Sequence, residues 1–153
     1  MRKLEVLKPR VVGCPPRIEE AGERYAEILG GMPHTMCFIT PIYHHVIDFG
    51  SGSVEIIEDG NVLIEGEVVV ERRNLNRVVR MLRNIRTRSP YGELTERACA
   101  VAEVHRHVEY GEEFFHVHFV CSPVSLAHRT ENIERILKTI KRIADRYGVE
   151  ELI

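Results

Sequence analysis

The chain has no glutamine and no tryptophan, and it carries only four lysines against 17 arginines. Few thermolabile amides among many charges lean towards a thermophile, although a G+C-rich genome would favour arginine in the same way. No apolar run approaches the roughly 18 residues of a membrane span, so no membrane is expected among its partners. The start, "MRKLEVLKPRVV", lacks the continuous apolar stretch of a signal peptide. The expected compartment is therefore the cytoplasm. No C-x-x-C pair occurs, since the cysteines stand at 14, 37, 99 and 121. In a reducing compartment four free thiols are expected. Several catalytic signatures are missing as well: there is no G-x-S-x-G elbow, no H-E-x-x-H, and neither Walker nor dinucleotide glycine spacing.

What is present suffices for one domain over 1–153. A chain of 153 residues that is 44% hydrophobic can bury an ordinary core without disulfides or metals. Residues 2–12 alternate loosely and read as a strand. In "PPRIEEAGERYAEILGG", Ile18, Ala21, Gly22, Tyr25, Ile28 and Leu29 share one helical stripe, with Pro16 in the first turn and Gly30-Gly31 as the stop. "HTMCFITPIYHHVIDFG" reads as extended, interrupted at Thr40-Pro41. "VEIIEDGNVLIEGEVVVE" is a hairpin. A three-residue loop with Gly60 left-handed puts Val54, Ile56, Val62, Ile64, Val68 and Val70 on one face, whereas a two-residue turn would mix Glu55 into it. A second helix is expected over 74–86, "SPYGE" as a loop, a hairpin over 98–121, and a last helix striped by Ile133, Ile136, Leu137, Ile140, Ile143, Ala144 and Tyr147. Thr130 is its expected cap and Gly148 its stop. The order β-α-β-β-β-α-β-β-α predicts an α+β fold, a mostly antiparallel sheet with helices packed on one face. It leaves open a split crossover of the ferredoxin-like kind at the first strand, helix and second strand.

The stretch "HRHVEYGEEFFHVH" places two His-x-His pairs around a turn. A type II′ turn with Gly111 first would pair His107 with His116 and His105 with His118. The opposite face would carry Ala102, Val104, Val108, Phe115, Val117, Phe119 and Cys121, and would pack on the helices. Four imidazoles then form a square flanked by Glu103 and Glu109. Opposed Cβ atoms stand about 4.5–5.5 Å apart, within reach of one ion bound at ~2.0–2.1 Å. Nitrogen-rich ligation suits zinc, nickel, iron or copper. The competing reading is a polar outward sheet face, where histidine is tolerated.

Three further features bear on function. Cys14 precedes the first helix, where the helix dipole favours the thiolate; it is a nucleophile or ligand candidate, or else a small buried hydrophobe. Of His44 and His45 only one can join any site, because neighbouring strand residues face opposite ways; His34 and His128 fall in loops. The segment 71–88 holds seven arginines and one glutamate, leaving the rest of the chain about −8. In the helix 72–88, Arg73, Arg77 and Arg80 line one side and suit an anionic ligand or acidic protein partner, or else form a solvated face. Nucleic acid is disfavoured, because no aromatics interleave with these arginines and the remainder is acidic.

The leading expectation is a homo-oligomeric, most simply homodimeric, protein that binds a transition metal through His105, His107, His116 and His118. An enzyme here would work through metal-bound water or Cys14, with Glu103 or Glu109 as base. The alternatives are a non-enzymatic binding module built on the arginine helix, or an accessory subunit of a larger complex.

Overall fold

A computed structural model of the chain describes residues 11–39, 41–123 and 125–150, and only the backbone at 95 and 96. The elements run β1 (Val11–Val12), α1 (Pro16–Leu29), β2 (Met32–Phe38), β3 (Tyr43–Asp48), β4 (Gly52–Glu58), β5 (Val62–Val70), α2 (Arg72–Arg83), β6 (Arg86–Arg88), β7 (Leu94–Arg97), β8 (Cys99–Glu109), β9 (Glu112–Cys121), a 3-10 turn (Leu126–His128) and α3 (Arg129–Tyr147). Seven strands form one antiparallel sheet in the order β1-β2-β3-β4-β5-β9-β8, and β6 pairs with β7 apart from it. This is the expected α+β fold.

Period-two alternation decides which face is buried. Val54 and Ile56 of β4, Val62, Ile64, Val68 and Val70 of β5, and Phe115, Val117 and Phe119 of β9 join one core. Leu29 of α1, Val78 and Leu82 of α2, and Ile136, Leu137 and Ile140 of α3 close it. All three helices therefore lie on one face of the sheet, and the chain's own helices leave the other face uncovered among the described residues. The β4–β5 loop has three residues, between Glu58 and Val62, and Gly60 sits at φ 103°, the left-handed side that glycine adopts without a Cβ penalty.

Several expectations need correction. The stretch 34–50 is a hairpin, β2 with β3, and Pro41 falls in its turn where the missing N–H costs no ladder bond; Thr40 lies outside the described residues. β1 pairs antiparallel with its neighbour β2, so no split crossover forms; residues 2–10 of the expected first strand lie outside the described residues. "SPYGE" tops the β6–β7 hairpin. α2 runs from Arg72 to Arg83 with Asn84 as its C-cap, because Arg86 already pairs with Arg97. α3 starts at Arg129 with no side-chain cap, so Thr130 lies within it; Gly148 ends it, and the Val149 N–H donates to the Val69 carbonyl at 2.8 Å.

The four cysteines are not free thiols. Cys14 bridges Cys37, and Cys99 bridges Cys121. The second bridge depends on a bulge between Val101 and Glu103. One extra residue turns Cys99 from the histidine face to the core face, directly opposite Cys121. No helix among the described residues is long and apolar enough to cross a membrane.

Candidate metal centre on the open sheet face

The β8–β9 hairpin turns at Tyr110 and Gly111, both with positive φ (51° and 79°), so that Glu109 opposes Glu112. This is the twist of a type I′ turn, which matches the right-handed twist of the flanking strands, and not the expected type II′ turn on Gly111-Glu112. Relative to the expected register the strands slide by two residues. A slip of two keeps every side chain on its face. His105 is now opposite His116, Glu103 opposite His118, and His107 opposite Phe114. The imidazoles meet on the diagonals. The His105 and His118 rings lie 5.2 Å apart and perpendicular, and the His107 and His116 rings lie 5.7 Å apart at 58°. The four histidines thus share one surface.

The opposite face follows the expectation on β9 but not on β8. Phe115, Val117, Phe119 and Cys121 are buried, whereas Val104 and Val108 are 40% and 48% exposed. β8 is the sheet edge, and these two valines stay partly open to solvent there. Ala102 sits at the bulge and is exposed.

Glu67, unremarked in the sequence, is the carboxylate that stands beside two of the histidines. β5 pairs with β9 and puts Glu67 opposite His118. Its Oε2 lies 3.3 Å from His118 Nε2 and 3.5 Å from His116 Nδ1. Glu103 Oε2 lies 3.0 Å from His105 Nε2, and Glu109 Oε2 lies 3.9 Å from His107 Nε2. Glu55, Glu65, Glu67, Glu103 and His118 line one concavity of about 500 Å³. A surface with this many carboxylates attracts cations. The signal that could have found Glu67 is the alternation in "VLIEGEVVV": Glu65 and Glu67 interrupt an otherwise apolar strand at the non-core parity. Among the described residues, no three His, Cys, Asp or Glu side chains stand in a metal-holding arrangement as their rotamers lie.

The other candidates are dispersed. Cys14 is tied up in its disulfide, so it offers neither nucleophile nor ligand. His44 joins the open face, with Nε2 3.4 Å from Glu55 Oε2, and His45 points into the core. Arg73 pairs with Glu71 at 3.2 Å, Arg77 lies over the Tyr147 ring at 5.8 Å, and Arg73, Arg77 and Arg80 are all exposed. Their neighbour Arg72 forks onto Glu113 at 2.7 and 3.0 Å, and Arg106 reaches the same carboxylate. Hydrogen bonds from Arg72 and then Arg106 hold the Glu113 carboxyl down at about 2. No family model matches the chain, and no curated protein or solved structure shows significant similarity to it.

Proposed function

We propose that this protein binds a transition metal ion on the open face of its sheet, with Glu67, His116 and His118 as the first ligands and His105 and His107 beside them. One observation carries this reading: a single carboxylate oxygen lies 3.3 and 3.5 Å from one nitrogen of each of two histidines on the same strand. Ligand atoms around a tetrahedral ion bound at ~2.0–2.1 Å are separated by ~3.3–3.5 Å. Modest ring rotation would bring the three groups to a common point. Nitrogen-rich donors with one carboxylate suit zinc, nickel, iron or copper. Three protein ligands leave an open position, which allows a catalytic ion. Glu103, across from His118, is then the carboxylate placed to act as base, with Glu109 further out. A sensory role remains the alternative use of the same ligands.

The arginine helix receives less support as an anion site, because Arg72, Arg73 and Arg77 already have partners of their own. We assign assembly to β8, an 11-residue edge strand with exposed Val104 and Val108, which invites antiparallel pairing with a second copy. Two disulfides fit an oxidising compartment, or the cytosol of a hyperthermophile. The amide-poor, arginine-rich composition favours the second.

The test is elemental analysis of purified, untagged protein, followed by calorimetric titration with zinc, nickel, iron(II) and copper. Wild type takes up one of them stoichiometrically. His116→Ala with His118→Ala abolishes uptake and Glu67→Gln weakens it at least about tenfold, while Arg77→Glu with Arg80→Glu leaves it unchanged. Metal-free protein that refuses all four ions, or full uptake by the double histidine variant, overturns the assignment.

A further inference from the structure

The helix side of the sheet carries a second polar cluster, made of residues the metal reading does not use. His45 is fully buried. Its Nδ1 lies 3.0 Å from Thr35 Oγ1, and its Nε2 has no hydrogen-bond partner and faces Glu58 Oε2 at 3.7 Å. The other Glu58 oxygen lies 3.5 Å from the Tyr25 hydroxyl, which donates to it, and 3.4 Å from Arg129 Nη2. Glu58 is only 9% exposed, yet none of these contacts is short. A buried carboxylate normally has tight partners. This one is held loosely by three groups behind it and beside it. Burial, and next the charge of Glu58, raises the Tyr25 phenol above its usual range. His45, then Arg129, offsets burial and keeps Glu58 ionised below the usual carboxylate range.

Glu58 is also a wall of a cavity of about 500 Å³, with Arg17, Tyr43, Asp59 and Arg129 around it. Both α1 and α3 begin here, at Arg17 and Ile18 on one side and Arg129 on the other. Neither helix has a side-chain cap: Pro15 and His128 hold the cap positions without a side-chain hydrogen bond. In α1, however, Pro16 has no N–H and the Ile18 and Glu19 N–H groups already donate to the Pro15 carbonyl, and α3 continues from the 3-10 turn Leu126–His128, so the side chains and not the helix ends set the charge of the cavity. The cavity therefore presents two guanidinium groups and two carboxylates. That pattern is complementary to a molecule bearing both charges.

We propose that this cavity binds a small zwitterion, one whose carboxylate or phosphate lies within a few bonds of an ammonium group. Arg17 and Arg129 take the anion, and Glu58, with Asp59 beside it, takes the ammonium. The long Arg129–Glu58 contact lets the guanidinium turn to the ligand, while His45 and Tyr25 keep Glu58 in place. The site is independent of the metal reading, since it lies on the other face of the sheet and shares no residue with it.

The test is amide NMR titration of the chelator-treated full chain carrying His116→Ala, so that loss of metal binding cannot alter the outcome. Two pairs of probes distinguish the anion: L-alanine against propionate, and phosphoethanolamine against ethyl phosphate. In at least one pair the zwitterion binds about tenfold or more tightly than its anion-only analogue, because it adds a charge-assisted hydrogen bond. Shifts concentrate at 17–18, 43, 58–60 and 129. Arg17→Ala, an exposed position that leaves the fold intact, weakens both members of that pair by about tenfold. Glu58→Gln removes the preference for the zwitterion and keeps anion binding. No shift from any of the probes at millimolar concentration, shifts centred elsewhere, or unchanged affinities in Arg17→Ala overturns the proposal.

Discussion

Gly22→Ala sets two opposing effects against each other at the centre of α1. Helix propensity alone predicts a gain of about 0.8–1.0 kcal/mol, because alanine loses less backbone entropy. The packing predicts a loss. A Cβ at Gly22 would stand 2.3 Å from Thr35 Oγ1 and 2.9 Å from His45 Nδ1. Thr35 is short and branched, so its hydroxyl cannot swing clear as a long side chain could. Either the helix lifts off β2 and β3 or the Thr35–His45 contact breaks. Overpacking of this kind costs about 1–3 kcal/mol, and loss of the hydrogen bond about 1 kcal/mol more. The net is a destabilisation of about 1–3 kcal/mol, read as a melting midpoint lower by about 2–4 °C for each kcal/mol. Thermal and urea melts followed by circular dichroism measure it. Adding Thr35→Ala removes the closer of the two contacts, so the pair should be less unstable than the sum of the single variants by about 1 kcal/mol. A Gly22→Ala protein as stable as wild type, or more so, would refute this account and show that α1 rides higher on the sheet.

Three other outcomes follow from named contacts. Glu113 should titrate at about 2 in carbon-detected NMR. Since that lies below an unfolded glutamate at about 4.3, its contribution to stability is complete above that pH and disappears as pH falls through about 2. Arg72→Ala should raise the midpoint, with little effect on stability because the pair is at the surface. Thiol titration in denaturant without reductant should find no free cysteine, and Cys14→Ser with Cys37→Ser should cost about 3 kcal/mol for a bridge spanning 23 residues; four reactive thiols would contradict both bridges. Phe119 is 1% exposed and packs on Gly66, whose absent Cβ would come 2.7 Å from the ring. Phe119→Ala should cost about 3–5 kcal/mol in urea melts, and a loss below about 1 kcal/mol would mean that β9 is misplaced against β5.

Local rules made much of the architecture legible. Period-two alternation in "VEIIEDGNVLIEGEVVVE" gave the buried set, and the requirement that Glu55 stay out of it selected the three-residue loop around Gly60. The helical stripes of α1 and α3 were readable for the same reason, since burial of one face must repeat with the helical period. Element ends were less legible. Arg83 and Arg86 both suit a helix by composition, and only pairing of Arg86 with Arg97 decides that the chain has already become a strand. The type I′ turn is not legible in the sequence because Tyr110 is an unusual residue at positive φ, and its local cost is outweighed by the twist of two long strands.

The sequence alone determined that His105, His107, His116 and His118 share a face. Parity survives a slip of two residues, so either turn leaves the four on the same face. Tertiary structure decided what stands beside them. Glu67 reaches His116 and His118 only because β5, distant in sequence, becomes the neighbour of β9. The fate of the cysteines was likewise tertiary. No spacing rule pairs Cys14 with Cys37, and Cys99 reaches Cys121 only through a bulge that turns one strand by a single residue. The zwitterion cavity also depends on the assembled fold, since its walls come from the starts of two helices and the tips of two hairpins. Periodicity fixes which side a residue faces; which residues meet there depends on strand order, and strand order is set by how the whole core closes.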